Sequence, residues 1–263
     1  MAVDSKYVDL ADNATILRNT IRAVAVIAAA FFLKDIVAFA SIKLIGVESI
    51  EVIRSDPALF GGLTTLGFIG FGLAGVGYLV LRNEWDLLYL PRPTRRDLAW
   101  ILGGIVLISM VYLAASIVLT LVVNLLETLF GMTVEAGQHG VIASGRENPT
   151  LLLLLIPVTL LVVGPAEELI FRGIVQGLFR ESLGVVPGVV IASSLFGLGH
   201  YFATTSGNPW TFIFLAGTLG VVLGALYEYT ETLLVPAVVH GLWNTLQFAG
   251  LYYVTTNPSV LPG

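Results

Sequence analysis

The 263-residue sequence contains no cysteine, which excludes a disulfide framework, a cysteine–zinc site and a thiol nucleophile. It is also poor in charge. Asp, Glu, Lys and Arg make up 12% of the residues, about half of the ~25% typical of a soluble domain. So few charges cannot dress the surface of a soluble globule of this size. Basic residues are scarcest, 13 Lys+Arg against 18 Asp+Glu for a net charge of −5, and this argues against a nucleic-acid partner. There are only three histidines: His139, His200 and His240. Residues 1–20 are polar and acidic, unlike the basic-then-apolar order of a cleaved signal peptide. No soluble domain, low-complexity tract or internal repeat stands out.

What is abundant is apolar. Hydrophobic residues are 56% of the chain, beside 28 glycines. The hydrocarbon core of a bilayer, ~30 Å thick, needs about 20 helical residues. Stretches free of Asp, Glu, Lys and Arg cover 57–81, 98–126, 148–166 and 182–227. The last is too long for one helix, and Ser206-Gly207-Asn208-Pro209 punctuates it as a turn, giving spans near 185–203 and 210–229. An apolar stretch at 233–254 follows Glu231. The first span, 16–42, is the poorest, since it holds Arg18, Arg22, Lys34 and Asp35. The expectation is an all-α polytopic transmembrane bundle with seven spans and an eighth, charged helical segment at 167–182. It is a single membrane domain, 1–263, whose residues 1–126 form N-terminal accessory spans. Gly61-Gly62 and the glycines of 67–77 suit close helix packing.

Charge asymmetry suggests topology. Lys6, Arg18 and Arg22, and Arg82, Arg92, Arg95 and Arg96 of the 82–97 connection, place the N-terminus in the cytoplasm of a cell-membrane protein. The polar 127–148 loop, with Glu127, Glu135 and Glu147, then lies outside, and Arg172 and Arg180 return to the cytoplasmic side. Glu228 and Glu231 are expected at a cytoplasmic turn. Tyr7, Tyr227, Tyr229, Tyr252 and Tyr253 are expected as interface aromatics. His139 is expected as a solvent-exposed loop residue, and Lys34 and Asp35 as facing other helices or water near a span end.

From residue 150 onward, ionisable groups recur in apolar context, where each charge costs on the order of 3 kcal/mol to insert. Glu167 and Glu168 follow an apolar run. Glu168 and Arg172 are four residues apart and can pair on one helical face. Glu167 points about 100° away and has Phe171 at its i+4 position. His200 ends the stretch Phe196-Gly197-Leu198-Gly199-His200, whose glycines permit close approach of a helix or a substrate. His240 and Asn244, four apart, share one face and could hold a developing oxyanion. Each cluster also has a plain structural reading: charges reaching the interface, a packing histidine, an interhelical hydrogen bond. Together they offer a base, imidazoles and oxyanion donors, a set suited to water-mediated amide hydrolysis.

Other protease signatures are missing. There is no His-Glu-x-x-His and no Gly-x-Ser-Gly, and no Asp follows Asp97. Ser144-Gly145 and Ser206-Gly207 fall in expected loops.

Glu167-Glu168-x-x-x-Arg172, Phe196-x-x-x-His200 and His240-x-x-x-Asn244, in this order on late spans, resemble the CPBP family of intramembrane proteases. That family includes type II CAAX prenyl endopeptidases and Abi bacteriocin-immunity proteins. The resemblance covers 149–254 as a catalytic core. It implies that Glu167 and His200 activate water, that His240 and Asn244 stabilise the oxyanion, and that Glu168 and Arg172 support them. It implies a peptide or lipidated-protein substrate, prenylated CAAX proteins being the type case, met in membrane lipid. A divalent metal such as zinc is left open: Glu167, His200 and His240 could ligate it, but too few ligands remain if His240 serves the oxyanion. Two other classes stay open, a non-catalytic immunity or scaffold protein of the same family and a small proton-coupled transporter.

Overall fold

The structure is a computed structural model that describes residues 7–260; Lys6 of the charge argument lies outside the described residues. Among the described residues nine helices run in the order α1 (Asn13–Ile45), α2 (Ile50–Ser55), α3 (Pro57–Arg82), α4 (Arg95–Phe130), α5 (Gly140–Glu147), α6 (Thr150–Leu183), α7 (Val185–Gly199), α8 (Pro209–Thr230) and α9 (Leu234–Thr256). The architecture is an all-α polytopic bundle. Six helices, α1, α3, α4, α6, α7 with its short 3-10 extension to Ala203, and α8, are long and apolar enough to cross a membrane. The stretch expected at 233–254 is the 23-residue α9, long enough but less apolar than those six. The charged segment 167–182 is no separate helix. It continues the apolar run before it, so both belong to α6.

Helix ends follow local chemistry. Asp12 and Asp56 cap α1 and α3 by accepting backbone N–H bonds. The turn expected at 206–209 is present: Gly207 takes φ +72° and Asn208 caps α8 ahead of Pro209. The 127–148 segment is more ordered than a polar loop. Gln138–His139 pairs antiparallel with Thr204–Ser206, and Ser144-Gly145 lies inside α5.

Two apolar clusters flank α6. One joins α1, α3, α6 and α7 around Phe71, Phe171 and Phe196. The other joins α4, α8 and α9 around Ile108, Leu223 and Val239. Outward faces are apolar too, as Leu102, Leu113 and Leu121 of α4 are exposed, an arrangement suited to lipid contact. The central crossing depends on Gly241. A Cβ there would sit 2.8 Å from the Leu160 backbone Cα, so only glycine lets α9 lie this close to α6.

Two charge and aromatic expectations are corrected by long-range packing. Tyr227 is fully buried rather than interfacial, and its hydroxyl accepts from the Tyr89 N–H. Glu228 sits in a partly buried network, accepting from Arg180 and Gln176 at 2.9 and 2.8 Å. Lys34 faces another helix as expected, its ammonium over the ring of Phe68 on α3 as well as that of Phe31, though it lies well inside α1, beside Asp35 at 3.3 Å, rather than near a span end.

Candidate active site

The site is built on an irregular stretch of α6. Pro165 has no N–H to give and its ring would clash with the carbonyl one turn back. The preceding turn, Thr159–Val163, widens, and the Gly164 N–H reaches back five residues to the Thr159 carbonyl. A second wide segment, Leu169–Gln176, follows. The two glutamates therefore sit on a short regular turn, Gly164–Glu168, between two π-type turns. Such bulges re-aim side chains and recur at functional sites.

Glu168 and Arg172 form the expected i,i+4 pair, with Glu168 Oε2 at 3.2 Å from Arg172 Nε and both side chains fully buried. The contact is Coulombic rather than a hydrogen bond, since neither of those atoms has a hydrogen-bond partner. Arg172 also donates to the Gly220 carbonyl at 3.3 Å and stacks on the Phe196 ring, 4.6 Å from its centroid. Buried charge of this kind needs every available partner.

Glu168 does more than pair with arginine. Its Oε1 accepts a 2.8 Å hydrogen bond from His240 Nδ1. A carboxylate can only accept, so Nδ1 carries the proton and the Nε2 of a neutral His240 presents a lone pair. That Nε2 lies 3.6 Å from Glu167 Oε2. His200 is held in the same tautomer, its Nδ1–H donating at 2.8 Å to the Phe196 carbonyl. Asn244 donates through Nδ2 to Thr159 Oγ1 at 3.1 Å.

Glu167, His200, His240 and Asn244 all line one cavity of about 150 Å³, ample for a water molecule. Phe68, Val158 and Phe212 supply apolar wall. Phe196 explains the aromatic of the Phe-x-x-x-His pattern: its ring contacts His200 and His240 at centroid distances of 4.7 and 5.7 Å. Counted from their helix starts at Leu234 and Val185, His240 and His200 differ in depth by about 13.5 Å at 1.5 Å per residue. Their meeting at Phe196 shows that residue counts along α7 and α9 do not measure a common depth. An adjoining cavity of about 120 Å³ shares Glu167 and His200 and brings Lys34 to its wall.

Two residues of the cavity were missed from sequence. Thr159 is the only hydroxyl residue in the run 151–163, and that isolation is the signal that could have found it. His139 was expected in solvent but lines both cavities, with its ring 5.3 Å from Phe212. Burial, with some repulsion from His200, pushes it down to about 4.

Among the described residues no three His, Cys, Asp or Glu side chains gather as a ligand set. Glu167, His200 and His240 share a cavity without converging on a common point, so the residues do not fit a three-ligand zinc site.

Residues 149–246 match the family model described as type II CAAX prenyl endopeptidase Rce1-like. Over 174 residues, 63% of this chain, the sequence is 26% identical to the membrane-embedded CAAX protease MroQ of Staphylococcus aureus (strain USA300). The two matches support the CPBP family. The support is for a CAAX-type membrane protease at family level, and the match spans about 63% of the relative's length. No solved structure matches the chain. The CPBP-like region contains the three motifs from Glu167 to Asn244, whereas His139 precedes it. With six apolar helices and a membrane-embedded relative, the chain is a multi-pass membrane protein.

Proposed function

We propose that the chain is an intramembrane endopeptidase that hydrolyses a peptide bond of a membrane-associated substrate, with a prenylated CAAX-type C-terminus as the first class to test. The observation that carries this reading is the shared cavity of Glu167, His200, His240 and Asn244, backed by the buried Arg172–Glu168–His240 chain.

The Glu167 carboxylate takes a proton from water while the water oxygen bonds to the carbonyl carbon. The π pair of the carbonyl moves onto its oxygen. The Nε2 lone pair of His200 accepts a hydrogen bond from the same water and orients it. Asn244 donates an N–H to the oxyanion, and His240 joins it when protonated at Nε2. Collapse of the tetrahedral species breaks the C–N bond, and the proton on Glu167 passes to the departing nitrogen. The products are a carboxylic acid and an amine. Glu168 fixes the His240 ring, and Arg172 supplies the counter-charge beside Glu168. No step is routed through a metal. In this reading the Arg82–Arg96 side faces the cytoplasm, as does the N-terminus, and substrate enters from lipid.

The purified protein in proteoliposomes is expected to cleave a farnesylated CAAX peptide reporter, and Glu167→Ala is expected to abolish cleavage. Normal cleavage by that variant sinks the reading. Intact biological activity in both Glu167→Gln and His200→Ala would favour a non-catalytic scaffold instead, and proton-coupled uptake would favour a transporter.

A further inference from the structure

Three histidines face one pair of cavities, and their hydrogen bonds sort them into two kinds. His200 and His240 each donate through Nδ1, to the Phe196 carbonyl and to Glu168, so in the neutral ring each offers the cavity a lone pair. His139 is the reverse. Its Nδ1 accepts the Val141 N–H at 3.2 Å, where the residue caps α5. A nitrogen that accepts carries no proton, so the proton of the neutral ring is on Nε2, which has no hydrogen-bond partner among the described residues. We infer that His139 is a catalytic residue of the proposed hydrolysis, whose Nε2–H donates to the carbonyl oxygen of the scissile bond as charge develops on it.

The strap that carries His139 is clamped. Gly137 N–H donates to Thr211 Oγ1 at 2.7 Å, Asn208 N–H donates to the Glu135 carbonyl at 2.9 Å, and His139 itself pairs with Thr204. The Phe212 ring contacts both the His139 and the His200 rings, at centroid distances of 5.3 and 5.5 Å. The donor is thus held on a clamped strap, against the same aromatic ring that contacts the water-orienting His200, as a preorganised oxyanion donor requires. Burial keeps the ring neutral at pH 7, so the N–H is supplied without charge. This matters because neutral His240 has spent its N–H on Glu168, leaving Asn244 as the other donor of the set.

The inference rests on the hydrolytic reading, and its test separates the two. In His139→Asn the side-chain oxygen can still cap α5, while the ring N–H is lost. With the full chain in proteoliposomes and a farnesylated peptide reporter, kcat is expected to fall about 100-fold, with KM within about threefold and the melting temperature unchanged. His139→Phe, which keeps an aromatic ring against Phe212, is expected to show the same kcat loss. A wild-type kcat in His139→Asn, or a change confined to KM, overturns the inference while leaving the hydrolytic reading intact. Absence of cleavage by the wild-type chain would count against the hydrolytic reading. The tautomer is then read directly: 15N spectra of histidine-labelled protein are expected to show His139 protonated at Nε2, and protonation at Nδ1 overturns the inference by itself.

Discussion

The longest helix and the central helix invert each other. Of the 36 residues of α4, only Asp97, Gly104, Ile108 and Ala115 are buried, and its outer face carries exposed Leu102, Leu113 and Leu121. In α6, by contrast, every residue from Ile170 to Gln176 is buried, Arg172 and Gln176 included. Lipid accepts leucine without demanding anything of its geometry. A buried guanidinium must be matched by carboxylate, carbonyl and aromatic partners at fixed positions. The two helices therefore differ in how much a single substitution should cost.

The largest effect is expected at the centre of α6. Arg172→Leu leaves Glu168 buried without its counter-charge, a loss of about 3–5 kcal/mol, and should be seen as reduced folded yield and a lowered unfolding midpoint. Adding Glu168→Gln to that variant should restore much of the fold but not the activity, because His240 then lacks its carboxylate. Next comes the helix crossing. Gly241→Ala forces α9 away from the Leu160 backbone and should cost about 1–3 kcal/mol, with at least a tenfold loss of cleavage as His240 shifts. A midpoint equal to wild type would show that the crossing is looser than described.

A smaller effect is expected with pH at the edge of the comparison. His139 titrates near 4 in the fold against about 6.5 when unfolded. Its folded pKa is depressed, so its contribution is fully present above pH 6.5 and is lost as pH falls through 4. The groups facing it across the two cavities are His200, Glu167, His240 and Lys34. Melting curves between pH 7 and 4 should fall more steeply for wild type than for His139→Asn, and parallel curves would contradict this. The smallest effect belongs to α4: Leu113→Ala, at a position 62% exposed, should change stability by no more than about 0.5 kcal/mol.

The same contrast explains what could be read in the sequence. The limits of α1, α3, α4 and α8 were legible because apolar length, the charges that bound it and the Ser206–Pro209 turn are local properties. The Glu168–Arg172 pair was legible because i,i+4 geometry is local too. Joining 148–166 to 167–182 was not, because charge ordinarily marks a span's end and here it marks the bundle's centre. Tyr227, Glu228 and His139 were misjudged for a shared reason. Each finds its partner more than 45 positions away, at Tyr89, Arg180 and Phe212 respectively, and no periodicity records such contacts. The wide turns around Glu167 had a local sign in Gly164-Pro165, but its consequence depended on the packing of α9.

In the proposed reaction Glu167 activates water for attack on a peptide bond. Cleavage of a farnesylated peptide reporter in water enriched in oxygen-18, followed by mass spectrometry, tests it most directly. Wild-type protein is predicted to place one heavy oxygen in the new C-terminal carboxylate, and Glu167→Gln to yield no product. Labelled product from Glu167→Gln at the wild-type rate would contradict the account.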